Sequence, residues 1–220
     1  MGTGVGKGAR GALIAGGLLA GLVGPVATGA GQSVAGAPAA GVPAFEFVGR
    51  LEQVGGDFTL RGYVTHLAGV PDAALFTGPG DQSEATARVT IVARAKLRTR
   101  AILDNIFVIT ATGRATFRVR PGGGASFADP ASFARGRTIG SARLRMQSVL
   151  NVQAPDAGIA TVSGTLVQTT SAQVVLGGRR YRFGRVRLGL RLSASGQGTR
   201  SEPTLPRATI VMGGSATRAG

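Results

Sequence analysis

Apolar and polar residues alternate through most of the chain that follows Ala44. In residues 85–100 the odd positions from Ala87 to Leu97 are apolar, and the even positions are polar or charged except for Val92. A period of two places successive side chains on opposite faces of a β-strand, so that one face is buried and the other meets solvent. This stretch therefore predicts a long, half-buried strand.

The same alternation predicts strands along the rest of the chain, with turns rich in glycine or proline between them. The predicted strands are Phe45–Glu52, Phe58–Leu67, Ala85–Arg100, Asn105–Thr112, Arg114–Arg120, Ile139–Val152, Ile159–Thr170, Gln173–Leu176, Tyr181–Ser193 and Ala208–Met212. The predicted turns are Gly55-Gly56, Thr112-Gly113, Pro155–Gly158 and Gly177-Gly178. No segment has the periodicity of a long helix, so the sequence predicts an all-β fold.

Several of these strands exceed the usual strand length of about 5–6 residues. Long, strongly twisted strands close into a barrel more easily than they pack as a small sandwich. We therefore expect a single antiparallel β-barrel of roughly 8–10 strands across residues 44–213, with a β-sandwich as the alternative.

One short helix is predicted inside the glycine- and proline-rich segment 121–136. Asp129 suits a helix N-cap, Pro130 suits the first helical position, and Gly136 suits the residue after the last turn. These residues predict one helical turn near 130–135. It would either plug one end of the barrel or form a lid over a ligand-binding mouth.

The N-terminal residues have the composition of an export signal. Lys7 and Arg10 precede an uncharged run from Ala12 to Gly24, and small residues follow it. Because a membrane-spanning helix needs roughly 20 apolar residues, this shorter run favours a cleaved signal, with an uncleaved anchor in a thin bilayer as the alternative. We expect residues 1–30 to be a secretory signal peptide, cleaved after Ala30 rather than after Ala37, which leaves no transmembrane span in the mature chain.

Two further segments look unstructured from their composition. Residues 31–43 are small, uncharged and interrupted by proline, so we expect a flexible leader. Residues 214–220 resemble a disordered tail. The signal peptide predicts a secreted or envelope-associated protein that leaves by the general export route.

The chain is strongly basic, with 25 lysine and arginine residues, 10 acidic residues and a formal net charge of +15. Removing Lys7 and Arg10 with the signal peptide would leave a net charge of +13. Such a charge attracts anionic polymers and lipid headgroups over long distances, although codon usage in a GC-rich genome would also enrich arginine. An exported chain is not expected to meet nucleic acid.

Few residues suggest catalysis. The chain has no cysteine and a single histidine, His66, so thiol chemistry and a two-histidine metal site are excluded. No cofactor motif or catalytic triad is recognisable, and no catalytic or metal-ligating residue is assigned. Two carboxylates that the fold brings close together could act as the catalytic pair of a glycosidase does. Asp104 and Glu46 are the candidate pair, and the sequence alone does not give the distance between them.

Candidate ligand contacts are His66, Phe127 and Phe133. His66 is in phase with the apolar even positions of its predicted strand, which places it toward the core or the barrel lumen. Phe133 lies on the predicted helical turn, and Phe127 packs before it. A buried structural histidine and a plugging turn are the alternatives to ligand contact.

The most basic stretch runs from Arg179 to Arg191. Its arginines interleave with aromatic and aliphatic residues, a composition that suits phosphate and sulfate groups. Candidate contacts to an anionic surface are Arg179, Arg180, Arg182, Arg185 and Arg187. The alternative is an outer barrel face of solvated arginines.

Three functions remain open from the sequence. The first is a monomeric, non-catalytic barrel that binds a small, partly apolar molecule in its lumen or mouth. The second is an envelope-associated protein that binds an anionic polymer or lipid surface. The third is an enzyme with a small active site around His66.

Overall fold

The computed structural model describes residues 1–2, 33–154, 157–201 and 206–219. Eight antiparallel strands close into a barrel, which confirms the predicted barrel rather than the sandwich. Apart from its first two residues, the predicted signal peptide lies outside the described residues, as does the predicted cleavage site after Ala30.

Strands are numbered in chain order. They are β1 (Ser33–Ala35), β2 (Pro43–Val54), β3 (Asp57–Leu67), β4 (Val89–Leu103), β5 (Ile106–Val119), β6 (Arg137–Ala154), β7 (Ala157–Ser171), β8 (Gln173–Leu176), β9 (Arg179–Phe183), β10 (Gly189–Ser201) and β11 (Arg207–Arg218). The barrel follows the order β2-β3-β4-β5-β6-β7-β10-β11, and β11 pairs with β2 to close it. Two 3-10 helices cover Asp72–Leu75 and Pro130–Ala134.

The two ends of the barrel differ in their connections. The β2–β3, β4–β5, β6–β7 and β10–β11 turns lie at one end, which we call the hairpin end. The longer connections and the three-stranded sheet β1-β9-β8 belong to the other end, which we call the closed end. Loops that could build a site are therefore distributed unequally between the ends.

The predicted leader is partly ordered. Ser33–Ala35 form β1, which pairs in parallel with Tyr181–Phe183 of β9. Ala35 is fully buried, and its carbonyl accepts a hydrogen bond of 2.7 Å from the Gly184 amide. Small residues that resemble a linker in the sequence allow close packing here, and among the described residues this packing begins at Ser33 rather than at Ala44.

The predicted disordered tail is wrong as far as Arg218. Residues 214–218 continue β11, where Thr217 pairs with Arg191 of β10 on one edge and with Pro43 of β2 on the other. Closing the barrel satisfies backbone groups on both edges of this strand, which a composition-based argument does not detect.

The predicted turn at Thr112-Gly113 is also wrong, because β5 runs through it without interruption. Gly113 pairs with Ala95 of β4 and with Leu144 of β6. A Cβ atom at Gly113 would overlap with the backbone carbonyl oxygen of Arg94. The glycine is required by the close approach of two barrel strands rather than by a turn.

The predicted strand Tyr181–Ser193 is broken in the middle. β9 ends at Phe183, and the chain turns through Gly184 at φ +57° and Arg187 at φ +68° before β10 begins. The buried Gln168 side chain fixes this bend: its amide donates to the Phe183 carbonyl at 2.8 Å, and its oxygen accepts from the Arg185 amide at 3.1 Å.

The predicted helical turn near 130–135 is confirmed as the 3-10 helix Pro130–Ala134. Asp129 precedes it as expected, but its side chain makes no capping hydrogen bond. Instead, the Asp129 carboxylate pairs with Arg135 at 2.8 Å.

Candidate functional site

His66 points away from the barrel interior. The pairing of β2 with β3 shifts register between Glu46 and Phe47, which leaves Thr65 as a bulge. The residues after the bulge therefore lie on the opposite face from the one that the alternation predicts. The His66 side chain is 36% exposed, and its Nδ1 lies 2.8 Å from a carboxylate oxygen of Asp72. The bulge explains why the alternation assigned this residue to the wrong face.

The two acidic residues singled out in the sequence do not meet. Glu46 pairs with His66 near the start of β2, at the closed end. Asp104 forms the β4–β5 turn with φ +56°, at the hairpin end. No carboxylate pair of the glycosidase type arises from them.

Phe127 and Phe133 pack on the outside of the barrel wall. Their ring centroids are 4.8 Å apart, and Phe133 is fully buried against Val92, which projects outward from β4. The hydroxyl of Thr90 donates to the Phe133 carbonyl at 2.9 Å. Neither ring lines the cavities inside the barrel, so the helical turn neither plugs an end nor covers a mouth.

The barrel interior is filled by side chains. Its central cavity has a volume of about 40 Å³ and is lined by apolar residues that include Phe47, Phe58, Ala95 and Met146. A ligand pocket usually has about 300–1,000 Å³. In this conformation the cavity therefore has room for little more than water, and a ligand in the lumen requires interior side chains to move.

A second cavity, also of about 40 Å³, lies toward the hairpin end. Arg100 and Arg200 line it together with Phe107, and their guanidinium carbons lie 5.7 and 4.2 Å from the centre of the Phe107 ring. Burial, and then the charge on Arg100, lower the pKa of Arg200. Neither arginine belongs to an ion pair among the described residues.

The predicted anion contacts lie at the closed end. Arg179, Arg180 and Arg182 are exposed on β9, in the small three-stranded sheet. Arg185 and Arg187 are exposed in the connection to β10. These five arginines share one region, but none of them is on a barrel strand.

A larger basic surface lies on β4, β5 and β6, where the sequence analysis did not place a site. These strands carry nine cationic residues and no acidic residue: four on β4, two on β5 and three on β6. We call their outer side the basic face, and it comprises Arg94, Lys96, Arg98, Arg114, Arg143 and Arg145. Their sequence neighbours Ala93, Ala95, Ala115, Leu144 and Met146 line the interior cavity.

Strand register aligns three of these residues. Arg94 is directly opposite Arg114, and Arg114 is directly opposite Arg143, so that three exposed arginines form a row across adjacent strands. We call them the basic row. Directly opposite residues have Cβ atoms about 4.5–5.5 Å apart, and like charges in such pairs are destabilising. None of the four ion pairs among the described residues involves the row.

The opposite side of the barrel carries little charge. β7 contains no charged residue, and the outward positions of β7, β10 and β11 are mostly serine, threonine and glycine. Charge is thus distributed asymmetrically around the barrel wall. The alternation alone could have assigned arginines to the outer face, but only the strand order and register bring them together.

Comparison with known proteins finds no matching family model, no matching curated protein and no matching solved structure. Within the described residues, no group of three acidic or histidine side chains could hold a metal ion. The same residues include no helix that is long and apolar enough to cross a membrane. The functional argument therefore rests on the distribution of charge and cavities.

An open groove of about 470 Å³ lies on the weakly charged side. Its lining includes Glu46, Thr161, Ser193, Ser195 and Ser215. His66 faces Glu46 across the strand pair but is not part of the lining. The groove supplies hydroxyl groups and one carboxylate, and nothing in it selects a particular ligand.

Proposed function

We propose that this chain is a non-catalytic barrel that binds an extended anionic surface through its basic face. The observation that supports the proposal is the basic row: Arg94, Arg114 and Arg143 lie directly opposite one another, and no carboxylate among the described residues pairs with them. Anionic groups placed between these guanidinium groups would relieve their mutual repulsion.

The composition of the row favours phosphate, sulfate or carboxylate groups as ligands. Each guanidinium is planar and can donate two parallel hydrogen bonds to such an anion. Arg98, whose Nε donates to Thr112 at 2.6 Å, and Arg145 extend the basic face along the strands. A face of several arginines would bind an array of anions and not a single small one.

The export signal predicted from the sequence fits this proposal, because envelope polymers and membranes are the anionic surfaces that an exported protein meets. The weakly charged opposite side would then face solvent. In this proposal the arginines of the closed end, Arg179 to Arg187, add to the long-range attraction and the basic face makes the contact.

Binding should depend steeply on salt. We expect the protein without residues 1–30 to be retained on heparin resin and on vesicles that contain phosphatidylglycerol at about 50 mM salt, and to be released well below 1 M. Vesicles of phosphatidylcholine alone are the control and should not retain it. Equal binding to both kinds of vesicle, or binding that salt does not change, would contradict the proposal.

The hairpin end supports a second candidate function, the binding of a small anionic amphiphile. Arg100 and Arg200 provide positive charge at a cavity that shares Leu51, Phe58 and Met146 with the apolar interior. Methionine side chains are flexible, so rearrangement of Met146 is the simplest way for the interior to admit an alkyl chain. The filled interior makes this candidate depend on a conformational change that the basic face does not need.

Dodecanoate is a suitable probe for this second candidate. If the cavity takes an anionic amphiphile, Arg200→Gln should weaken dodecanoate binding about tenfold in calorimetric titration, since a hydrogen bond to a charged group contributes about 1.5 kcal/mol. Arg207→Gln is the matched control, because Arg207 is exposed at the same end and does not line the cavity. No binding by the unmodified protein, or equal effects of both substitutions, would exclude this site.

The enzyme hypothesis remains a prediction from the sequence. His66 and Asp72 form the hydrogen-bonded pair that such a site would use, but His66 lines none of the cavities described above.

A further inference from the structure

An exposed apolar patch adjoins the basic face on the same strands. It lies on the outer side of β4–β7 near the hairpin end, where Leu103, Val149 and Ile159 are 64%, 37% and 40% exposed. Strand pairing places Leu103 opposite Ile106, and Val108 opposite Val149. We call this set the apolar patch, and it comprises Ala101, Leu103, Ile106, Val108, Val149 and Ile159.

A register shift in β4 adds Ala101 and Leu103 to the patch. Pairing with β5 slips between Leu97 and Thr99, so the odd positions that point inward before the slip point outward after it. The residues on the inner side of the same segment, Arg100 and Phe107, line the second cavity, which lies toward the hairpin end. The side chains of Ala101 and Leu103 are therefore directed to the outside.

The β4–β5 turn, next to which the patch lies, is held in place by hydrogen bonds. The side-chain amide of Asn105 donates to the Asn151 side-chain oxygen at 3.2 Å and to the Val152 carbonyl at 3.3 Å. The Val152 amide donates to the Asn105 carbonyl at 2.9 Å. These bonds tie the β4–β5 turn to β6, so that the two hairpins present one continuous surface.

The patch and the basic row follow one another along the strands. On β5, Arg114 follows Val108 by six positions, which corresponds to about 20 Å at roughly 3.3 Å per residue. Polar, uncharged side chains, Thr110 and Thr112, lie between them. The outer side of β4–β6 is therefore apolar near the β4–β5 turn, then uncharged and polar at Thr99, Thr110 and Gln147, and then cationic from Lys96 and Arg145 onward.

We infer that the partner of this face is an anionic lipid bilayer, with the apolar patch entering the headgroup and acyl boundary while the arginines contact lipid phosphates. This inference rests on the proposed function and names its partner. Peripheral proteins bind membranes in this way, by burying apolar side chains a few ångströms deep and attracting anionic headgroups with cations.

The observations favour a bilayer over two other partners. An anionic polymer would satisfy the arginines, but it would leave Leu103, Val149 and Ile159 exposed to water. A second copy of the chain would cover the patch, but the same face of that copy would offer no carboxylate to the arginines, because β4, β5 and β6 carry no acidic residue. A bilayer is complementary to both parts of the face at once.

The test replaces apolar side chains without changing charge. In the patch variant, Leu103→Asn, Ile106→Thr and Val149→Thr are combined. The control variant combines Val175→Thr, Val186→Thr and Val211→Thr, three exposed valines that lie outside the patch. Both variants are compared with the unmodified protein by sedimentation with phosphatidylglycerol-containing vesicles and by elution from heparin resin.

We expect the patch variant to bind vesicles at least tenfold more weakly than the control variant and to elute from heparin at the same salt concentration. Vesicle binding equal to that of the control would overturn the bilayer inference and leave the basic-face proposal standing. If the unmodified protein binds neither vesicles nor heparin, the proposed function itself fails. A dimer of the unmodified protein that the patch variant converts to a monomer would instead assign the patch to self-association.

Discussion

Replacing Arg94, Arg114 and Arg143 together with glutamine is expected to weaken binding to anionic vesicles by about 100-fold, since each arginine near such a surface contributes about 1 kcal/mol. The three side chains are exposed and lie directly opposite one another. Their removal relieves repulsion between like charges, so the free energy of unfolding should stay the same or rise slightly. Vesicle titration and chemical denaturation measure the two effects.

A second triple variant separates the basic row from net charge. It also removes three positive charges, but from the closed end, by combining Arg179→Gln, Arg180→Gln and Arg185→Gln. The sequence alone favours these positions as the anion contact. We expect this variant to lose much less than the 100-fold of the row variant. Equal losses would mean that total charge governs binding, and a larger loss would move the contact to the closed end.

Gly113→Ala is expected to destabilise the barrel by about 3 kcal/mol or more, and equilibrium denaturation in guanidinium chloride measures this loss. The added methyl group would meet the backbone carbonyl of Arg94 and the Cα of Ala95, neither of which can move without separating β4 from β5. Failure of the variant to fold would have the same meaning, provided that its control folds.

The matched control is Gly213→Ala on β11. Gly213 also lies within a barrel strand, but the nearest atom to its added Cβ would be the Phe47 carbonyl oxygen at 3.8 Å, an ordinary contact. Its stability should therefore change by about 0.5 kcal/mol or less. If Gly113→Ala proves as stable as Gly213→Ala, close strand approach is not the reason for glycine at position 113.

Both predictions concern residues whose strands the sequence predicted but whose neighbours on adjacent strands it did not. Alternation identified every barrel strand at least in part, because a strand with one buried face must repeat with a period of two. It read Gly113 as a turn, since glycine serves both tight turns and close strand approach. Only the neighbouring strand distinguishes these roles.

The candidate site was predictable to a smaller extent. Alternation assigned His66 to the interior, and a single bulged residue, Thr65, places it outside. Phe127 and Phe133 form the predicted pair, yet they pack on the outer wall because Val92, the one exception to the alternation in its strand, offers them an apolar surface there. The sequence shows that Val92 departs from the alternation, but it does not show that Phe127 and Phe133 pack against it.

The sequence by itself determined the all-β class, the approximate position of each barrel strand and the excess of arginine, because these depend on local periodicity and composition. Tertiary structure decided which arginines become neighbours. Arg94, Arg114 and Arg143 are distant in the chain, and they meet because strand order and register align them. Register depends on bulges, turns and interior packing together, so residues far apart in sequence jointly determine it.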